Sequence, residues 1–304
     1  MSVVSAAASK SRSLTRFEPV ERVENISAAA FVANYLAKNR PVVVREHRDA
    51  DAAYRRWSPD DLARRFGDID VKVSGDFFTT IGAMKLRDYM LSLERYEQRP
   101  AHEFSEESPV PYLRETPSAD RTPRDFDRVA FRALRHEWAR RPFMPRNLYF
   151  RPLHLLSSRP NVRRYPGFGI FVSPRGALTR YHVDIENDSN LLTQVHGVKR
   201  GFLFAPAKDG PATRSHSFAG RGNLQSILAG RAPDYSPYRP LEFELHPGDS
   251  VLLPKGWGHE VFTLSASVSL TYNFVHWSEL NWAWIKFWLR GRNLENEPMR
   301  RLLR

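Results

Sequence analysis

The feature that most constrains the fold is a series of short apolar segments between residues 165 and 275, each bounded by turn residues. Segments of five to eight residues with alternating or continuous apolar positions are typical of β-strands. About eight antiparallel strands at this spacing predict a double-sheet jelly roll or a barrel. The segments are GFGIFVS, LTRYHVD, NLLTQVH, KRGFLFAP, LEFELH, SVLLP, EVFTL and SVSLTYNF.

Helical patterns precede and follow this region. Ser58 followed by Pro59, Asp60 and Asp61 is a strong helix start, because Ser caps a helix, Pro favours its first position and acids favour its first turn. That helix is expected to stop at Gly67. Further helices are predicted at AAAFVANYLAKN, 85–95 and 127–140 and after residue 278, with short strands at PVVVR, IDVKVS and PYLRE. The predicted class is therefore mostly β with flanking helices.

Composition excludes several classes of protein. Hydrophobic residues make up 41% of the 304 residues, so a wholly disordered chain is excluded. No stretch approaches 18 uninterrupted apolar residues, so no membrane span is expected. The chain has no Cys, which excludes disulfides and thiolate ligands and is compatible with the reducing cytoplasm, the location we expect.

The net charge of the chain is strongly positive. Lys and Arg number 46 against 34 acids, so 46 − 34 gives +12. Such a field attracts acidic partners, although a basic surface that only aids solubility is an equally valid interpretation. The Arg residues are scattered and form no dense tract, so nucleic acid is not the expected partner.

The sequence His182-Val183-Asp184 predicts a metal site. Residues i and i+2 of a strand project to the same face, so the His182 imidazole and the Asp184 carboxylate can bind one ion. His259, in PKGWGH, is the best candidate for a third ligand. Two His and one carboxylate form the facial triad of non-haem Fe(II) oxygenases. A surface His beside an Asp turn is the alternative for H-x-D alone.

A Lys residue interrupts an otherwise buried strand. The run NLLTQVHGVKRGFLF is interpreted as a hairpin that turns at His196 and Gly197 and carries Lys199 into its second strand. A buried Lys requires an anion. Thr179 lies three residues before His182, and Arg180 shares the strand parity of His182.

The closing strand separates polar from apolar side chains. Every second residue from Ser267 to Asn273 is Ser, Thr or Asn, whereas the alternate positions are apolar. A polar row that faces into a barrel suits a cosubstrate pocket. The alternative is a sheet with its polar side in water.

Together these segments resemble the cupin-like branch of the JmjC oxygenases, which depend on Fe(II), 2-oxoglutarate and O2 and include the asparaginyl hydroxylase of the hypoxia-inducible factor. The resemblance covers most of residues 35–277 and implies a double-stranded β-helix of the jelly-roll type. It is carried by SPRGALTRYHVD, NLLTQVHGVKRGFLFAP, HPGDSVLLPKGWGHEVFTL and SVSLTYNFVHW, with PVVVREH, WSPDDLARRFGDIDVKVS and PYLRE before them.

The resemblance implies a role for each matching residue. His182, Asp184 and His259 would ligate Fe(II). Lys199 would pair with the distal carboxylate of 2-oxoglutarate, helped by the hydroxyls of Thr179 and Tyr112, with Tyr149 as a rival for Tyr112. The side chains expected near the metal-proximal end of the cosubstrate are Asn190 and Asn273.

The expected reaction is hydroxylation of an unactivated C–H bond of an amino-acid side chain in a peptide or protein. The polar loop after Asp184 can line an open mouth, and Glu186 in that loop and Arg180 are candidate substrate-binding residues. The alternatives are a hydroxylase of a free amino acid or other small metabolite, a cupin that binds another divalent metal, and a non-catalytic binding protein of this fold.

We divide the chain into four segments. Residues 1–16 are a flexible N-terminus, and residues 17–150 are a helical and mixed region packed on the core. The double-stranded β-helix catalytic core occupies residues 151–277, and residues 278–304 form a C-terminal helical extension. Trp282, Trp284 and their apolar neighbours in that extension predict a homodimer through this helix or burial against the core.

Overall fold

The fold is described from a computed structural model. The structure describes residues 17–46, 52–75, 79–105, 110–115, 129–145 apart from 135 and 139, 168–184, 188–206 and 220–279 apart from 237. Most of the predicted C-terminal helix therefore lies outside the described residues. No helix in the described part of the chain is both long and apolar enough to cross a membrane.

Two facing sheets form the centre of the molecule. Within the described ranges, one sheet has seven strands in the order β2-β3-β12-β9-β14-β7-β6, another has five in the order β1-β11-β10-β13-β8, and β4 and β5 form a separate pair. The strands are β1 Glu18–Pro19, β2 Arg22–Glu24, β3 Val42–Arg45, β4 Asp70–Ser74, β5 Thr80–Lys85, β6 Leu113–Glu115, β7 Phe168–Ser173, β8 Leu178–His182, β9 Ser189–His196, β10 Lys199–Phe204, β11 Leu241–Leu245, β12 Asp249–Leu253, β13 Gly258–Thr263 and β14 Ser267–Phe274. The predicted fold class, mostly β with a jelly-roll core, is confirmed.

Helices cover the outer faces of the sheets. They are α1 Ala28–Phe31, which continues as a π-helix over Val32–Leu36, α2 Ala52–Arg56, α3 Pro59–Phe66, α4 Leu86–Glu97, α5 Phe131–Leu134 and α6 Gly220–Leu228, with 3-10 turns at Ala101–Glu103 and Trp277–Glu279. The predicted start of α3 is confirmed, because the Ser58 hydroxyl accepts a hydrogen bond from the Asp61 amide at 3.2 Å. Helix α6 and the edge strands β1 and β2 were not predicted.

The alternation of polar and apolar residues along β14 separates an apolar core under the helices from a polar interior between the sheets. Val268 and Leu270 pack outward among apolar residues that include Tyr89 and Leu93 of α4. The opposite positions face the other sheet: Ser267 pairs with Ser173 across β14 and β7, and the Ser173 hydroxyl lies 2.9 Å from that of Thr263 in the small sheet. The predicted inward polar row is therefore present, because period-two alternation in a strand fixes which face each residue occupies.

The predicted hairpin at His196 and Gly197 is wrong. Strand β9 pairs with β12 and β14 of the large sheet, whereas β10 pairs with β11 and β13 of the small sheet. The chain therefore turns a corner between the sheets. Gly197 has φ +72°, and a side chain there would clash with the backbone of Ala266, so only Gly fits this corner.

Candidate active site

The three predicted metal ligands meet on the interior of the small sheet. His182 ends β8 and lies directly opposite His259 of β13 in the strand register. Their ring centroids are 4.1 Å apart, and His182 Nε2 is 3.4 Å from Asp184 Oδ1. One ligand atom from each of the three residues lies within 4.8 Å of the others. The H-x-D parity and the antiparallel register thus bring together three donors that the sequence separates by 77 residues.

Both imidazole rings are oriented by backbone carbonyls. His182 Nδ1 lies 2.9 Å from the Arg180 carbonyl oxygen, and His259 Nδ1 lies 3.4 Å from that of Trp257. A proton on Nδ1 that donates to the carbonyl leaves the Nε2 lone pair for a metal, the arrangement in which metal-bound His is held in proteins. The carbonyl two residues earlier in the chain therefore sets the tautomer of each ring.

The charge states of the triad suit a cation. Burial together with the neighbouring His182 lowers the pKa of His259 to about 4, so its ring is neutral. Burial would raise the pKa of Asp184, but His182 and His259 outweigh it and lower that pKa. Burial would lower the pKa of His182, but Asp184 raises it above its ordinary value. Asp184 and His259 are therefore in the forms that bind metal, a carboxylate and a neutral imidazole, whereas a metal would compete with the proton that Asp184 favours on His182.

The donor set fits Fe(II). Two imidazole nitrogens and one carboxylate oxygen suit iron better than the all-oxygen sets that Mg²⁺ and Ca²⁺ prefer, and no thiolate competes. Three protein ligands on one side leave coordination positions for a cosubstrate and O2. His182, Asp184 and His259 would hold the ion.

Lys199 forms the opposite end of the site. Its side chain is 1% exposed, and its ammonium donates to the phenolic oxygen of Tyr112 at 2.5 Å. Burial lowers the pKa of Lys199, although Tyr112 partly offsets this. No salt bridge in the described part of the chain gives Lys199 a carboxylate partner. A buried ammonium is costly unless an anion pairs with it, so this geometry fits the distal carboxylate of 2-oxoglutarate.

Tyr112 shares this polar group. Burial alone would raise its pKa, but the charges of Lys199 and Arg114 and hydrogen bonds from Lys199 and Ser173 lower it below the ordinary value of 10.0. The rival residue Tyr149 lies outside the described residues. The contact with Lys199 supports Tyr112 as the phenol of the site.

A register shift between β8 and β13 determines the position of Thr179. His259 pairs with His182, whereas Val261 pairs with Thr179, so β8 uses three steps where β13 uses two. Regular alternation would place Thr179 and His182, which are three residues apart, on opposite faces of β8. The extra residue in β8 removes this conflict. The Thr179 hydroxyl accepts a hydrogen bond from Arg114 Nη2 at 3.2 Å.

The strand register also sets the length of the site. Lys199 faces Thr263 across β10 and β13, and Leu203 faces His259. Lys199 and Leu203 share a face and are four residues apart, which corresponds to about 13 Å of strand at ~3.3 Å per residue. A metal would lie at one end of this distance and the backbone of Lys199 at the other. A five-carbon diacid together with the long Lys side chain spans a comparable length.

Asn190 and Asn273 lie on the large sheet, directly paired across β9 and β14. Asn190 Nδ2 donates to Thr271 Oγ1 at 2.6 Å and to Asn273 Oδ1 at 2.9 Å. Asn190 Oδ1 is buried and has no hydrogen-bond partner among the described residues. An unpaired buried amide oxygen fits an interior that receives a polar ligand.

Sequence reasoning missed three polar residues of this interior. Arg114, in PYLRE, was not singled out although it is 7% exposed and contacts both Tyr112 and Thr179. Ser173 and Thr263 form a buried hydroxyl pair at 2.9 Å. The available signal for Arg114 was a charged residue inside an apolar strand-like segment. Of the candidate substrate residues, Arg180 is half-buried and Glu186 lies outside the described residues.

A double-stranded β-helix with two His and one Asp on its interior defines a metal-binding protein of the cupin class. The chain belongs to the cupin-like domain family, whose model matches residues 27–279.

Curated relatives are similar at modest identity. An arginine-specific demethylase of Arabidopsis thaliana, JMJ20, is 24% identical over 91% of this chain and 61% of its own length. The 2-oxoglutarate and iron-dependent oxygenase JMJD4 of Gallus gallus is 22% identical over 84% of this chain and 60% of its own. The bifunctional arginine demethylase and lysyl-hydroxylase psr-1 of Caenorhabditis elegans is 22% identical over 90% and 66%. The chain thus spans less than two thirds of the length of these relatives.

Proposed function

We propose that this protein is an Fe(II)- and 2-oxoglutarate-dependent oxygenase that hydroxylates a C–H bond of an amino-acid side chain in a peptide or protein. Two features on one interior carry the proposal. One is the His-Asp-His donor set, and the other is Lys199, which is buried about four residues along the strands and has no carboxylate partner among the described residues. A cupin that binds another metal accounts for the first feature and leaves the second unexplained.

The protein's own residues would bind and orient the reactants. When bound, iron and 2-oxoglutarate supply the oxidation of the C–H bond by O2, with decarboxylation of the cosubstrate to succinate. Lys199 and Tyr112 would hold the distal carboxylate, and the buried interior would exclude water. The carbonyls behind His182 and His259 would keep both rings in the tautomer that faces the metal.

The names of the relatives support a protein side chain as the substrate. They name arginine demethylases and a lysyl-hydroxylase, activities on the side chains of two amino acids. Hydroxylation of an N-methyl carbon also begins at a C–H bond, so the same site chemistry serves both outcomes. The positive charge of the chain would steer acidic or anionic substrates, and this steering would weaken as salt rises past about 0.15 M.

A substrate screen tests the proposal. The iron-loaded protein is incubated with peptide libraries, proteins and free amino acids, and succinate release and product mass are measured. We expect succinate release that depends on the substrate and a peptide product that gains one oxygen atom. Loss of a methyl group as formaldehyde would identify a demethylase. Turnover of a free amino acid with no peptide accepted would overturn the protein-substrate proposal. No turnover and no cosubstrate binding would favour a non-catalytic binding protein.

We also propose that the protein is cytoplasmic and forms a homodimer through residues 278–304. Trp277, the last large apolar side chain described before that segment, is 67% exposed, which supports a further covering surface nearby. Light scattering at micromolar concentration is expected to give twice the chain mass of 35.1 kDa. A mass equal to one chain would refute the dimer.

A further inference from the structure

Arg114 is a buried cation on the inner face of β6, beside the residues that would hold the cosubstrate. Its guanidinium carbon lies 3.7 Å from the centroid of the Tyr112 ring. Nη1 donates to Ser74 Oγ and to the Gly75 carbonyl, each at 2.6 Å. These bonds occupy both N–H groups of Nη1 and so fix the planar guanidinium in one orientation.

The other terminal nitrogen of the guanidinium, Nη2, contacts β8. Nη2 donates to Thr179 Oγ1 at 3.2 Å and to the Leu178 carbonyl at 3.3 Å. A hydroxyl has one proton to donate and two acceptor lone pairs. Because Arg114 occupies an acceptor position of Thr179, the hydroxyl proton is directed elsewhere and is available to an anion.

Tyr112 is held from two sides in the same way. The guanidinium lies over its ring, and Lys199 donates to its oxygen. The phenol is therefore fixed between two cations, and its position depends on both. A cation stacked on an aromatic face in a desolvated site contributes more than one at the surface.

We infer that Arg114 is a positioning residue of the cosubstrate subsite, which orients the Thr179 hydroxyl and the Tyr112 ring toward the distal carboxylate and adds a second positive charge beside Lys199. This inference rests on the proposed function. Two buried cations in one subsite are suited to a ligand that brings a full negative charge at this end, as a diacid does.

Binding of 2-oxoglutarate to the Mn(II)-loaded protein, measured by calorimetry without O2 turnover, tests the inference. Arg114→Gln is expected to raise the dissociation constant for 2-oxoglutarate by about tenfold or more, the loss expected for hydrogen bonds that involve a charged group. Mn(II) affinity should change much less than 2-oxoglutarate affinity, because among the described contacts Arg114 acts on the triad only through its charge, which lowers the pKa of His182. Arg114→Lys keeps the positive charge but loses the planar guanidinium. Its dissociation constant for 2-oxoglutarate should lie between those of wild type and Arg114→Gln.

Arg65→Gln is the matched control. Arg65 also stacks on a ring, that of Phe66, and donates to several oxygens, but it lies on α3. This control should lower the melting temperature without changing the affinity for 2-oxoglutarate.

A double-mutant cycle separates positioning from a merely structural role. In the Thr179→Val background, Arg114→Gln is expected to cost clearly less affinity than in wild type, because the hydroxyl it orients is gone. Unchanged 2-oxoglutarate affinity in folded Arg114→Gln, or fully additive losses in the cycle, would overturn the inference while leaving the proposed function intact. Wild-type protein that binds no 2-oxoglutarate would overturn both.

Discussion

His182→Ala and Asp184→Ala are expected to lose Fe(II) binding while the fold survives. Each removes one of three donors whose ligand atoms lie within 4.8 Å of one another. Substitution of residues that merely orient metal ligands already costs about 10–100-fold in affinity, so loss of a ligand should exceed about 100-fold. Anaerobic titration with Fe(II), followed by calorimetry, measures the effect, and circular dichroism reports the fold.

His246→Ala provides the matched control for the metal titration. His246 is an exposed His that lies 2.9 Å from the carboxylate of Glu244, so it also presents a His-carboxylate pair, but it lies outside the triad. Its Fe(II) affinity should equal that of wild type. A His182→Ala protein that binds Fe(II) as tightly as the control would remove His182 from the site.

Lys199→Met is expected to change stability and cosubstrate affinity in opposite directions. Met has a similar length and no charge, so it removes the cost of burying an ammonium without a carboxylate. The ligand-free protein should therefore be as stable as wild type or more stable. The affinity for 2-oxoglutarate should fall by about 100-fold or more, because the distal carboxylate would lie in a buried site without its counter-ion.

Lys85→Met controls for the general effect of removing a Lys. Lys85 is half-exposed and pairs with the exposed Asp70 at 2.9 Å. A surface pair of this kind contributes about 0–1 kcal/mol, so neither stability nor cosubstrate affinity should change much. Thermal denaturation and 2-oxoglutarate titration are performed on both variants. An unchanged affinity in Lys199→Met would exclude Lys199 from the cosubstrate subsite.

The strands of the core could be predicted from the sequence because their signal is local. Period-two alternation identified β14 and placed Ser269 and Thr271 on its inner face, and the structure agrees. Capping identified the start of α3 for the same reason, since Ser58 and Asp61 are neighbours in the chain. Prediction of the metal triad also required one non-local contact, between β8 and β13. The order of the motifs along the chain indicated that contact.

The pairing of strands could not be predicted in the same way. Alternation shows that a segment is a strand but does not identify its partner, so β9 and β10 were joined as a hairpin although they belong to different sheets. Strict parity also separates Thr179 from His182, and only the register shift in β8 reconciles them. Arg114 was missed because its role depends on the pairing of β6 with β7 and on its contact with Ser74, 40 positions earlier.

One anaerobic spectroscopic titration tests the central claim that this interior binds iron and 2-oxoglutarate together. The Fe(II)-loaded protein is titrated with 2-oxoglutarate under argon, and visible absorbance is recorded. Chelation of Fe(II) by the 2-oxo acid gives a charge-transfer band that neither component gives alone. We predict a band that saturates at one 2-oxoglutarate per bound iron in wild type, is absent in His182→Ala and requires far more 2-oxoglutarate in Lys199→Met. A wild-type protein that binds Fe(II) but develops no band at saturating 2-oxoglutarate would contradict the account.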